Sequence, residues 1–349
     1  MSNYDQFAAA VKEISGGKNV VLLDDLGLPS VYVPINKLKN SEIISGGSEN
    51  THPAFSVNGV EKSRFLYSKY QNIVINGRAY SLSHRDPKTY VNFDQARQAC
   101  EAKGAGFHLG TLAEWAAVAL LTRKMGTMPH GNNNYGGDSA YTYEKGQESA
   151  KDNNKTGRTF TGSGPATWGH DHTQFGIQDM NGNVWEWLGG MRLNEGEIQI
   201  IPYNNAALGS ECDMSASSTL WKAIKNDGSL VAPGTAATLK YDFVSNNIQL
   251  TTGITSAQDA GRGGSYTAMT LASGVTAPEL AKALILYPDE PGKDYGGDYH
   301  WMNNAGERLP IAGGTWYSGA DAGVFNLRLS NARSDSASYF GFRSAYVEL

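Results

Sequence analysis

Bond-making chemistry needs a nucleophile, a base or a metal ligand set at defined spacing, and few residues of this chain offer one. Cys100 and Cys212 are the only thiols. Two cysteines make neither a disulfide framework nor a structural zinc site; buried free thiols are expected, with a single disulfide as the alternative. His170 and His172 lie in WGHDHTQ, a spacing that puts both imidazoles on one face of an extended segment. The sequence has no third ligand at a recognisable distance, so hydrogen-bonding histidines are expected there rather than a metal centre. No Ser/His/Asp order, P-loop or dinucleotide fingerprint occurs, and the glycines of residues 104–110 follow a helical segment rather than a strand. Recognition chemistry, by contrast, is concentrated in residues 313–349. There Gly313, Gly314, Trp316, Gly319, Gly323, Val324, Phe325, Leu327, Leu329, Gly341, Phe342 and Arg343 read as a frame. Interleaved with them are Thr315, Tyr317, Ser318, Asp321, Asn326, Arg328, Ser330, Asp335, Ala337 and Tyr339. These small, polar or Tyr side chains form the contact set of an adaptable surface on a rigid backbone.

The chain that must position these residues has 349 residues, enough for one large or two ordinary domains with a real core. Its 41 glycines, with only 18% charged residues, favour a loop-rich ordered fold over a helical bundle. A net charge of −5 and the lack of any basic cluster argue against a nucleic-acid partner. No apolar run approaches a membrane span, so no membrane insertion is expected. The opening MSNYDQFAAAVKEI has neither a basic start nor a long apolar core, and predicts no secretory leader.

Local signals outline the elements. An amphipathic helix is expected over 4–15, a strand over 26–35 and a polar loop over 37–53. The run 64–83 reads as one hairpin about Asn76-Gly77. Helices are expected over 92–103, capped by Asn92 and closed by Gly104, and over 111–125, where Thr111 and Glu114 form a capping box. Residues 131–173, rich in Asn, Gly, Ser and Thr, read as a long surface excursion. Thr276 and Glu279 predict a third capping box and a short helix ending near Leu286. In FGIQDMNGNVWEW, residues 175–187, Trp185 and Trp187 are core candidates together with Trp115, and Gly176 and Gly182 permit the turns that aim them inward.

Two resemblances follow from these motifs. Residues 67–70, 93–100, HLGTLAEW at 108–115, FGIQDMNGNVWEW, GRGGSY at 261–266 and the final Gly341-Phe342-Arg343 occur in one order. The series resembles the formylglycine-generating-enzyme type of C-type lectin fold, from about residue 25 to the end. The frame GG-W…GAxAGVF…NARS…GFR resembles the variable region of proteins diversified by retroelements, found in phage tails and some bacterial surface proteins. In that family an adenine-rich template full of AAC codons is copied with errors at adenine. Such errors never produce Lys, Glu, Gln, Met or Trp, and residues 315–339 contain no Lys, Glu, Gln or Met.

The resemblances imply an α+β, loop-rich C-type lectin fold of the formylglycine-generating-enzyme-like type, with insertions. They divide the chain into an N-terminal segment, 1–55, for tail attachment or oligomerisation, and a lectin-like domain over 56–349. The domain carries an insertion at about 190–261 and a variable region at 313–349. Trp185, Trp187, Trp316, Phe325, Gly341, Phe342 and Arg343 would form the scaffold, with Arg343 anchoring a carboxylate or carbonyls. Formylglycine-generating enzymes need a reactive cysteine pair near the C-terminus, and none follows Cys212, so no catalysis is expected. The turn of that family matching Asn181, Gly182, Val184 and Glu186 holds calcium, which makes a structural calcium the one cofactor the resemblance implies. The function implied is a phage tail receptor-binding protein. Its partners would be a host-surface receptor, protein or polysaccharide, and other tail proteins. It would be a homo-oligomer, a trimer by resemblance, carried on the virion and released by lysis. A calcium-dependent carbohydrate-binding module and a diversified bacterial surface protein are the alternatives.

Overall fold

The computed structural model describes residues 3–349. Two sheets and one buried helix build the body. In the first sheet Val20–Leu23, Pro29–Asn36, Arg64–Ser68, Ser344–Tyr346 and Phe107–Leu109 lie side by side in that order, every neighbouring pair antiparallel. β-Branched and aromatic residues fit this half-buried surface: Tyr32, Val33, Ile35, Phe65, Tyr67 and Phe107 are all buried. The sheet crosses the expected boundary at residue 55. Two of its strands precede that residue, and they share the sheet with the C-terminal strand. The helix Asn3–Ile14 lies outside the main core, whereas the short helix Asn40–Ile43 and the turn Pro53–Phe55 contribute Ile43, Ala54 and Phe55 to it.

The second sheet has thirteen strands. Its main path runs Arg262–Ser265, Tyr299–Met302, Gly323–Asn331, Glu307–Gly313, Met191–Asn194, Glu197–Ile200, Lys240–Val244, Asn247–Thr251 and Thr270–Leu271. Trp185–Trp187 branches from it, antiparallel to Glu307–Gly313 and parallel to Phe340–Phe342. The insertion at 190–261 therefore extends the sheet, and its Leu193, Ile198, Ile200, Tyr241 and Leu250 are buried in the main core.

The helix Leu112–Met125 lies inside that core, and residues 112–120 are buried on every side. An all-round apolar helix of this kind suits a buried position, and its Ala-rich sequence lets neighbours approach closely. The expected box is present: Thr111 accepts from the Glu114 amide at 3.2 Å, and Glu114 accepts from the Thr111 amide at 3.0 Å. Trp115 donates its indole N–H to the Val324 carbonyl at 2.7 Å, tying this helix to the strand that carries the candidate surface. The helix Phe93–Glu101 has the Asn92 cap as expected.

Two local expectations differ. The run 64–83 is not one hairpin: Arg64–Ser68 joins the first sheet, and only Ile73–Ile75 and Arg78–Tyr80 pair about Asn76-Gly77, both at positive φ. The box at Thr276 does not form. Pro278 precedes the helix Glu279–Ala283, and the Glu279 carboxylate instead accepts from the Ser48 amide at 2.6 Å and Asn40 at 2.6 Å. Among the described residues, no helix is long and apolar enough to cross a membrane.

Candidate functional site

The strand Gly323–Asn331 runs parallel to Tyr299–Met302 on one side and antiparallel to Glu307–Gly313 on the other. Val324, Phe325, Leu327 and Leu329 are completely buried, which fixes its backbone. The other expected scaffold residues, Trp185, Trp187, Trp316, Gly341, Phe342 and Arg343, are buried too. Of the expected contact set, Tyr317 and Asp321 are exposed, and Ser318, Arg328, Ser330, Asp335, Ala337 and Tyr339 are half-buried.

Thr315 and Asn326 are not on the surface. Thr315 shapes the turn after the glycine pair: its amide donates to Ser318 Oγ at 2.9 Å, and its hydroxyl accepts from the Tyr317 amide at 3.3 Å. Asn326 shares the outward face with Arg328 and Ser330 by strand period, but the turn Gly319–Asp321 folds over it. Its amide donates to the Asp321 carbonyl at 2.5 Å. Asp335 is also partly committed to local structure, accepting from the Ala332 amide at 3.0 Å.

The residues that remain make a band of two contact groups, one around Tyr317 and Tyr339 and one around Arg328. Tyr317 and Tyr339 meet edge to face, with centroids 5.7 Å apart, and both contact the buried Trp316. Arg328 lies over Trp301 at 5.9 Å, and Trp301 packs on Tyr299 at 4.8 Å. Burial, with Tyr339 beside it, pushes the Tyr317 hydroxyl up to about 12, so it is a neutral phenol at physiological pH. Aromatic rings with polar tips give large contact area for little side-chain entropy, which suits binding.

Tyr299 and Trp301 were not anticipated. They lie outside 313–349, and only the pairing of Trp301 with Arg328 brings them to the band. The alternation in YHWM, with His300 and Met302 buried and Tyr299 and Trp301 half-buried, was the available signal. The excursion at 131–173 is likewise ordered against this face. Tyr135 donates its amide to the Trp316 carbonyl at 2.6 Å, and Asp152 accepts the Trp316 indole N–H at 3.1 Å. Beside the turn 319–322 opens a cleft of about 270 Å³, lined among others by Met128, His130, Tyr141, Asp298 and Gly323. His130 is stacked on Tyr141 there at 3.7 Å.

The chemically reactive types are engaged elsewhere. His170 accepts from the Ile177 amide at 2.9 Å, and burial lowers its pKa to about 4, so it is neutral. His172 bonds the Met128 carbonyl at 3.0 Å. Among the described residues, no group of three His, Cys, Asp or Glu side chains is placed to hold a metal ion. Cys100 and Cys212 are free and buried; burial raises both thiols, Cys212 to about 11, so neither is a thiolate nucleophile.

The turn at Asn181–Glu186 is tightly built. A Cβ on Gly182 would lie 2.1 Å from the Asn132 carbonyl oxygen, and its φ of +77° also calls for glycine. Arg343 grips Glu186 with two bonds, of 2.7 and 2.9 Å, and donates to the carbonyls of Lys69 and Gln178. The oxygens assigned to calcium by resemblance do not fit an ion as they stand. Asn181 Oδ1 turns away to accept from Asn133 at 3.1 Å. Gln71 Nε2 lies 3.0 Å from Glu186 Oε1, 3.2 Å from the Val184 carbonyl and 3.5 Å from the Gly182 carbonyl. Gln71 is fully buried, and no sequence motif marked it.

Known proteins offer comparisons. Treponema denticola variable protein 1 is 13% identical, with 94% of this chain and 98% of that one covered, at a TM-score of 0.34. PvdO from Pseudomonas aeruginosa is 13% identical, with 94% and 97% covered and a TM-score of 0.34. The Major Tropism Determinant U1 variant is 10% identical, with 90% of this chain and 62% of that one covered, at a TM-score of 0.30. No curated protein matches the chain. The model of the sulfatase-modifying factor enzyme 1-like domain matches residues 34–271, more than half of the chain. This α+β, loop-rich protein with its C-type lectin-like fold therefore belongs to the sulfatase-modifying factor enzyme 1-like domain family.

Proposed function

We propose that this protein binds a host-surface receptor through the face formed by Tyr317, Ser318, Asp321, Arg328, Ser330 and Tyr339, extended by Tyr299 and Trp301. The observation that carries the reading is the division within residues 313–349. Buried Trp316, Phe325, Leu327, Leu329 and Phe342 hold the backbone, while the residues between them can change without opening the core. The resemblance of this segment to retroelement-diversified regions makes a phage tail tropism protein on the virion the reading that fits best. A homo-oligomer, trimeric by the same resemblance, with other tail proteins as neighbours, would raise weak single-site affinity through effective concentration. Binding rather than catalysis is supported by the two buried thiols and the separately engaged histidines.

The test is the triple variant Tyr317→Ala, Asp321→Ala, Tyr339→Ala. Its melting temperature is expected to stay within a few degrees of wild type, because exposed and half-buried positions contribute little to stability. Its adsorption to the cognate host is expected to be lost. Full adsorption by a folded triple variant would place the binding surface elsewhere. Sequencing the gene across a phage population adds a second check: variation should fall on the contact positions and spare Trp316, Gly323, Phe325 and Gly341.

A further inference from the structure

We infer that Gln71 serves as a built-in substitute for a cation, holding the turn Asp179–Glu186 through its side-chain amide without any divalent metal. Four oxygens converge on its Nε2: Glu186 Oε1 at 3.0 Å, the Val184 and Asp179 carbonyls at 3.2 Å each, and the Gly182 carbonyl at 3.5 Å. So many acceptors around one point repel one another unless something positive lies between them. An amide –NH2 carries two polarised N–H bonds and supplies that positive density. The distances decide which occupant the cage suits. Calcium binds oxygen at about 2.3–2.6 Å, whereas N–H···O bonds span about 2.7–3.2 Å, and three of the four contacts are 3.0–3.2 Å. The orientation of the amide is fixed independently. Asn183 Nδ2 donates to Gln71 Oε1 at 2.8 Å, which leaves Nε2 facing the cage. The formal charge in the cage is already balanced, because Glu186 is paired with Arg343 through both oxygens.

The cage also bears on the candidate surface. Gly182 donates its amide to the Gly313 carbonyl at 2.8 Å, so the turn that Gln71 holds supports the first residue of the segment 313–349. The display face is thereby made independent of calcium concentration.

The experiment uses the full chain. Metal content of the purified wild-type protein is measured by mass spectrometry after exposure to calcium and desalting, and its melting temperature is compared in EDTA and in calcium chloride. No bound calcium and equal melting temperatures are expected. Stoichiometric calcium, or a melting temperature that rises with calcium, would overturn the inference. The near-isosteric Gln71→Glu replaces the N–H donors by a carboxylate oxygen. It is expected to melt lower than wild type in EDTA and to recover part of the loss in calcium. A Gln71→Glu protein as stable as wild type in EDTA would equally overturn it. If that variant does not fold, the wild-type metal content and calcium response still decide.

Discussion

At the scale of single residues, burial separates side chains that bind from side chains that build. Thr315 and Tyr317 are two positions apart and similar in polarity, yet one hydroxyl is spent on the turn and the other ring is presented to solvent. Arg343 and Glu186 show the cost of charge inside a core. Each is almost fully buried, and removing either partner would leave the other uncompensated. Asp179 gives this scale its pH signature. Burial raises its carboxyl from 3.8 to about 6, against the pull of the Gly162 amide, and one carboxylate oxygen has no partner. A raised acid pKa means the folded state holds the proton more tightly than the unfolded chain. Its stabilisation is complete below about pH 4 and is lost as pH rises through about 6, with a swing of roughly 3 kcal/mol. Asp179→Asn stays neutral throughout and can still accept from Gly162. Denaturant melts at about pH 4 and about pH 7.5 should therefore show the variant gaining on wild type at the higher pH. A difference that does not change with pH would mean that Asp179 titrates normally in the folded protein.

At the scale of elements, what was legible in the sequence was what is local. The box of Thr111 with Glu114 and the cap by Asn92 each close within three residues, and both helices are present. The same pattern at Thr276 failed because Glu279 found better donors at Ser48, 231 residues away. Gln71, Tyr299 and Trp301 were missed for the same physical reason: their roles depend on strand and turn neighbours that no local pattern encodes. The small hairpin of Lys151–Asp152 and Lys155–Thr156 is another such neighbour, since Asp152 accepts the indole N–H of Trp316. Asp152→Ala removes one hydrogen bond at a partly buried site and should cost about 1 kcal/mol of stability. Its effect on binding should be larger than that, because Trp316 braces both Tyr317 and Tyr339. Calorimetric melting beside host-adsorption assays checks this, and unchanged adsorption would show that Trp316 is held by the frame alone.

At the scale of the whole molecule, the order of strands determines which end of the chain the fold can lose. The strand Ser344–Tyr346 is central in the first sheet, pairing with Arg64–Ser68 on one side and Phe107–Leu109 on the other. Its removal, together with Val347 behind it, would expose two strand edges and the apolar surface of Phe107, Leu66, Val57 and Ala207. The helix Asn3–Ile14 is peripheral. It packs beside the edge strand Val20–Leu23, and Tyr4, Phe7 and Ile14 remain 41%, 44% and 75% exposed. Ending the chain at Arg343 should therefore abolish cooperative folding, whereas starting it at Ser15 should leave the melting temperature within a few degrees of wild type. Far-UV circular dichroism melts of the two truncations test this directly. Size measured by light scattering extends the test to the N-terminal segment's proposed role. A chain lacking residues 1–14 that folds but is smaller than wild type in solution would assign assembly to the helix. If it keeps the wild-type size, any oligomer is held by the body of the domain, and the exposed Tyr4, Phe7 and Ile14 are left free for another contact.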